Sequence, residues 1–111
     1  MIVLRVQIGL QVKTLMGVIS LIEKVEGRNA GEVMLYGLST CMWCKKTKKL
    51  LDELGVQYTY AFIDLMDEET KKHYHEEMKV WNPRGSFPTL VINDRTTIVG
   101  YDEARMREAL Q

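Results

Sequence analysis

Cysteine and proline are both scarce in this chain of 111 residues, which has two of each. Two cysteines are too few for a disulfide-scaffolded fold. Standing three positions apart, at Cys41 and Cys44, they would close almost no loop, so a bridge between them restrains the unfolded chain very little. A closed zinc site with four ligands is also short of donors, because the other good candidates are His73 and His75. Charge of one sign is missing as well. Fifteen basic residues balance fifteen acidic ones, so no net field recruits nucleic acid or a membrane surface, and neither is an expected partner. The longest apolar stretch near the N-terminus, Leu15–Ile22, lies between Lys13 and Glu23 and is far shorter than the roughly 20 residues of a spanning helix. No small-x-small cleavage site follows it, which argues against a signal peptide. These absences leave a cytoplasmic globular protein. Its hydrophobic content of 46% and charged content of 27% suit one domain with one modest core.

What is present is patterned. Leu4, Val6, Ile8, Leu10 and Val12 alternate with Arg5, Gln7, Gly9 and Gln11, the signature of a half-buried strand. Leu15, Val18, Ile19 and Ile22 repeat at helical spacing, in a run short enough to serve equally as a strand, and Gly27–Gly31 reads as a turn or linker. Residues 1–31 therefore read as an N-terminal extension, packed on the core sheet, lengthening it, or joining two copies weakly. Residues 32–111 read as the domain proper. In it, Glu32–Gly37 is a compact strand. Ser39 and Thr40 can cap a helix running to Leu54 and stopped by Gly55. Gln57–Leu65 is rich in strand formers and predicts a second strand parallel to the first, which gives the length of a βαβ crossover. Asp67–Glu69 opens a second helix with a stripe of Tyr74, Met78 and Trp81. A loop over 82–86, a strand over 89–92, a turn at Asn93–Asp94 and a return strand over 97–99 follow. The last helix, Asp102–Leu110, offers Ala104, Met106 and Leu110 for packing. The order is β-α-β-α-β-β-α, an α/β fold, after an extra amphipathic segment.

Cys41-Met42-Trp43-Cys44 falls where the first strand of that unit turns into its helix. A thiolate is the nucleophile in disulfide exchange, and free peptide N–H groups and the helix dipole favour an anion there. Thr40 in the capping turn and Lys45 and Lys48 just beyond are expected to add to that stabilisation, although lysines on such a helix also serve simply as its soluble face. Cys41, at the helix start, is the expected nucleophile. Cys44, one turn in, is the expected resolving thiol. Phe87-Pro88-Thr89 precedes an apolar strand. A cis proline there would leave the Phe87 backbone groups free to pair with an extended substrate. Trp43 suits either a hydrophobic rim that receives substrate or a cover for the sheet edge. His73 and Glu77 could converge on one helix face, but two ligands make a weak metal site and a solvated face accounts for them. No metal site is expected from these residues.

Together the strand, Cys41-Met42-Trp43-Cys44, Phe87-Pro88-Thr89 and Val99-Gly100-Tyr101-Asp102-Glu103 resemble the glutaredoxin branch of the thioredoxin-like fold, over about residues 32 to 111. The resemblance implies a thiol–disulfide oxidoreductase with Cys41 and Cys44 catalytic. It implies that Phe87 and a cis Pro88 lie beside them, and that Tyr101 and Asp102 stand in a segment that binds the γ-glutamyl end of glutathione. It also implies disulfide-containing protein substrates and either glutathione or a reductase as electron donor, with no bound cofactor. Departures stand beside it. Met42 and Trp43 replace the common Pro-Tyr pair. Leu38 occupies the place of a lysine that holds a glutathione carboxylate, and Val99-Gly100 replaces a double glycine. Redoxins that serve ribonucleotide reductase, fed by a flavin or iron–sulfur reductase, are similar too. The same cysteines also permit a second reading, a module that binds or carries a metal or iron–sulfur cluster between two chains.

Overall fold

A computed structural model describes residues 22–111. The strand expected over Leu4–Val12, and the run from Leu15 except Ile22, lie outside the described residues. The elements are β1 (Ile22–Val25), β2 (Val33–Gly37), α1 (Met42–Leu54), β3 (Tyr58–Phe62), a 3₁₀ turn (Ile63–Leu65), α2 (Glu68–Trp81), β4 (Thr89–Ile92), β5 (Thr96–Val99) and α3 (Glu103–Leu110). They form one five-stranded sheet in the order β1-β3-β2-β4-β5. β2 and β3 are parallel, joined by α1, whereas the β1–β3, β2–β4 and β4–β5 pairs are antiparallel. This is the thioredoxin-like glutaredoxin architecture.

Each helix covers the face its sequence prescribes. Thr47, Leu50 and Leu51 of α1 are buried with Leu35, Tyr58, Leu90 and Ile98 of the sheet and Met106 and Leu110 of α3. Met78 of α2 is buried on the opposite face with Tyr36, Ile63 and Val91, flanked by Tyr74 and Trp81. Burying one such side chain contributes roughly 1.5–3 kcal/mol, so these two layers hold the sheet rigid where β2 and β3 end. The turn at Asn93–Asp94, with φ of 55° and 48°, is the left-handed pair a tight hairpin requires.

Two expectations are made more specific and two need correction. Ile22, from the run that could be helical or a strand, belongs to β1, whose Glu23 pairs across to Tyr60 and accepts its hydroxyl hydrogen bond at 2.8 Å. Gly27–Gly31 lies in the link from β1 to β2 and is tethered. The Arg28 N–H donates to the Gly55 carbonyl at 2.7 Å, and a Cβ on Gly27 would stand 2.6 Å from that oxygen. The second strand ends at Phe62, because Ile63–Leu65 tightens into a 3₁₀ turn that brings Asp64 round to the first helix. Ala104 is exposed, and Met106 and Leu110 alone carry the packing of α3.

Candidate active site

The carboxyl ends of parallel β2 and β3 lie side by side, Gly37 opposite Phe62. That is where ligands sit in open α/β sheets. Both cysteines follow β2 directly. Cys41 is the N-cap of α1, with extended backbone (φ −87°, ψ 119°), and its Sγ accepts the Cys44 backbone N–H at 3.2 Å. The cap expected from Ser39 and Thr40 is thus supplied by the cysteine itself. A sulfur in this position takes up one of the N–H groups that the first turn of a helix leaves without a backbone partner. Thr40 is exposed, and none of the side-chain hydrogen bonds among the described residues involves it.

Cys44 is in the opposite situation. It is 1% exposed, its Sγ faces the Leu38 N–H at 3.5 Å, and Gly37 lies against it so closely that an added Cβ would stand 3.3 Å from both its Cβ and its Sγ. Burial pushes the Cys44 thiol well up, helped by its hydrogen bond with Cys41 and by the charge of Asp64, while the Leu38 N–H pulls the other way. Both cysteines are free thiols. One sulfur is therefore partly open and bonded as an acceptor. The other is enclosed and protonated, one helical turn away.

Asp64, from the turn after β3, ties down the loop that carries the cysteines. Its carboxylate accepts the Ser39 N–H at 2.8 Å and the Ser39 hydroxyl at 2.6 Å. Burial raises its pKa, but the bonds from Ser39 outweigh this and the net shift is downward. A carboxyl lowered by folding stabilises the fold above its unfolded value of about 3.9, and that stability is lost as pH falls through the folded value. Asp64→Asn should therefore cost stability at pH 6, and the gap to wild type should narrow once the pH falls below about 3.9. Chemical denaturation at several pH values measures this, and a gap that stays constant would refute the role given to the charge.

Trp43, which stands between the two cysteines in sequence, lines a groove of about 250 Å³ with Phe87, Pro88, Gly100 and Tyr101. Trp43 is 54% exposed and Met42 67%, so the rim is apolar and open to solvent. Trp43 stacks on Tyr101 with ring centroids 6.0 Å apart, which makes it a groove wall and not a cover for the sheet edge. The Phe87–Pro88 peptide bond is cis. Among the described residues, the Phe87 N–H and C=O have no hydrogen-bond partner, whereas the Pro88 carbonyl accepts the Gly100 N–H at 2.8 Å. Asp102 sits beside Tyr101, but its carboxylate caps α3 by accepting the Arg105 N–H at 3.1 Å.

The fold resemblance has counterparts among known proteins. The glutaredoxin family model matches residues 33–96. The chain belongs to the glutaredoxin family. It is 51% identical to a methanoredoxin of Methanosarcina acetivorans, covering 76% of this chain and 88% of that one with a TM-score of 0.74. A glutaredoxin of Methanosarcina mazei is 47% identical, with 80% of this chain and 86% of that one covered and a TM-score of 0.75. A curated relative, an uncharacterized glutaredoxin-like 8.6 kDa protein of Clostridium pasteurianum encoded in a rubredoxin operon, is 29% identical over 71% of this chain and 97% of its own length. The family and these neighbours support a function of the thiol–disulfide oxidoreductase type.

Within this glutaredoxin domain the lysines divide. Lys45 is exposed, directly after the Cys44 turn. Lys48, expected near the Cys41 sulfur, points along the helix instead. Its ammonium is 3.4 Å from Asp52 and 4.8 Å from the Tyr60 ring centroid. Lys46 lies 5.0 Å over the Trp43 ring. His73 and Glu77 are 3.7 Å apart on an exposed face, and no cluster of three metal-ligating side chains exists among the described residues. No helix among them is long and apolar enough to cross a membrane. Sequence reasoning missed Gly37, Asp64 and Asn82. Asp64 carried a usable signal, an acidic residue just past the carboxyl end of a parallel strand beside the turn that carries the cysteines. Gly37 carried less, because only the packing shows that Cys44 needs its space.

Proposed function

We propose that the protein reduces disulfides by dithiol exchange, with Cys41 as nucleophile and Cys44 as resolving thiol. The supporting observation is the asymmetry of the pair: Cys41 is partly open and accepts the Cys44 N–H, while Cys44 is 1% exposed. The Cys41 thiolate attacks one sulfur of a substrate disulfide. A Cys41–substrate bond forms, the substrate S–S bond breaks, and the other half leaves as a thiolate. Cys44 then gives up its proton to solvent or to the departing sulfur and attacks Cys41, releasing the second substrate thiolate and leaving a Cys41–Cys44 disulfide. The protein loses two electrons and the substrate gains two. Two equivalents of glutathione, or a flavin- or iron–sulfur-linked reductase, return them.

The raised pKa of Cys44 suits this order, since a protonated resolving thiol does not compete for the incoming disulfide. Phe87 and Pro88 face the substrate, Trp43 and Tyr101 form the opposite wall, and Asp102 fixes the Gly100–Tyr101 edge by capping α3. The Cys41 sulfur is held at the α1 N-terminus by the Cys44 N–H, Lys45 is exposed on the same helix, and Lys48 is engaged with Asp52 and the Tyr60 ring. The chemistry suits a reducing compartment such as the cytosol. Replacing Cys44 by serine tests the reading, because the second step is then blocked. Incubation with a protein disulfide should leave the variant carrying the substrate on Cys41, visible as an added mass that dithiothreitol removes. A variant that stays unmodified would refute the division of roles.

A further inference from the structure

The segment between α2 and β4 is held from inside by a buried amide. Asn82, 4% exposed, ends α2, and its side chain fits in one orientation. Oδ1 accepts the Arg84 N–H at 3.2 Å. Nδ2 donates towards the Ser86 carbonyl at 3.1 Å, the Ser86 hydroxyl at 3.1 Å and the Thr89 hydroxyl at 3.0 Å. Thr89, fully buried, donates its own hydrogen to the Ser86 carbonyl at 2.8 Å, so its oxygen is free to accept from Asn82. A buried amide is costly unless fully bonded, and this one is fully bonded to residues on both sides of Phe87–Pro88. On the outer side the His75 ring stacks on Phe87 at 6.0 Å, while its Nε2 stands 3.5 Å from the Gly85 carbonyl, a weak tether. The firm grip on this wall of the groove therefore comes from Asn82.

We infer that Asn82 is a positioning residue for substrate: by gripping Ser86 and Thr89 it sets the Phe87 backbone at the angle where an extended peptide pairs with it as an added strand. This rests on the oxidoreductase reading and narrows it. The groove's substrates are disulfides in extended peptide or protein segments that dock through their main chain, in preference to compact disulfides with no peptide backbone.

The test compares a disulfide-linked peptide with hydroxyethyl disulfide, and uses Cys41 alkylation by iodoacetamide as a measure of the thiol alone. For Asn82→Ala the KM for the peptide should rise about tenfold, with a smaller change in kcat, because a binding contact is lost while the thiol chemistry remains. The preference for peptide over hydroxyethyl disulfide should fall accordingly, and the alkylation rate should stay within about twofold. Thr89→Val keeps the buried shape but loses the hydroxyl. It should move the peptide KM about threefold the same way, and it decides the matter if Asn82→Ala does not fold. An unchanged peptide KM in the folded variants would overturn the inference, and so would a parallel fall in alkylation and in turnover of both substrates. Wild-type protein that reduced neither disulfide would overturn the oxidoreductase reading itself, so the two failures are distinguishable.

Discussion

Replacing Cys41 by serine should reduce turnover to the background of the reductant alone, a loss of roughly 10³-fold or more, as expected when a nucleophile is removed. It should do so without unfolding the protein. The N-cap is the position where a serine hydroxyl serves best, accepting the N–H two or three residues on. Here the Cys41 sulfur accepts the Cys44 N–H at 3.2 Å, and a serine oxygen at the same site can take over the bond. The melting temperature should therefore hold or rise slightly while the activity disappears. That separation makes the variant informative. A hydroxyl at this site has no thiolate form to attack sulfur, and Cys44, 1% exposed, is too enclosed to substitute for it. Steady-state reduction of a protein disulfide, measured beside a thermal melt, reads both quantities. A Cys41→Ser protein that kept its turnover would place the chemistry elsewhere.

How much of this site the sequence disclosed depended on whether a residue acts locally or across the fold. The placement of the cysteines was legible because a strand-to-helix junction and the Gly55 stop signal are both local patterns. The Phe87–Pro88 turn was legible by its place before an apolar strand. Gly55 ends α1 as predicted, and the acidic start predicted for α2 is there, with Asp67 as its cap and Glu68 and Glu69 in its first turn. Legibility failed where a second element decides the matter. Lys48 lies two turns beyond Cys41 on one helix, which suggested a shared electrostatic site. The Tyr60 ring on β3 and the Asp52 carboxylate draw its ammonium away. Ser39 looked like a helix cap, and its hydroxyl was instead claimed by Asp64, 25 positions along the chain. Tyr58, Tyr60 and Phe62 fixed the strand, but nothing in their alternation marked the point after Phe62 where the chain tightens. For Ser39 and for the Lys48–Tyr60 contact a partner on another element outweighed the local preference, which no periodicity records.

Gly37 makes the same point with a consequence for catalysis. It lies at the carboxyl end of β2, where an alanine would be a better strand residue than glycine on backbone grounds alone. Here alanine should nevertheless be harmful. The new methyl would stand 3.3 Å from the Cys44 Cβ and Sγ and 4.0 Å from the Phe62 ring, so the resolving thiol must move by a few tenths of an ångström within a packed core. Overpacking of this kind costs about 1–3 kcal/mol, partly offset by the backbone gain. The larger effect should fall on the second chemical step. Resolution needs the Cys44 sulfur in line with the bond it breaks, and a displacement of about 1 Å can cost 10²-fold in such reactions. A shift of a fraction of that should slow resolution roughly tenfold. Cys41, whose sulfur is held by the α1 turn and not by Gly37, should still attack at its normal rate. Gly37→Ala should therefore form the mixed disulfide as fast as wild type and release it slowly. Rapid acid quenching followed by intact-mass analysis would count the two species over time. If attack and release slowed together, or neither slowed, the packing of Cys44 against Gly37 would not control the resolving step.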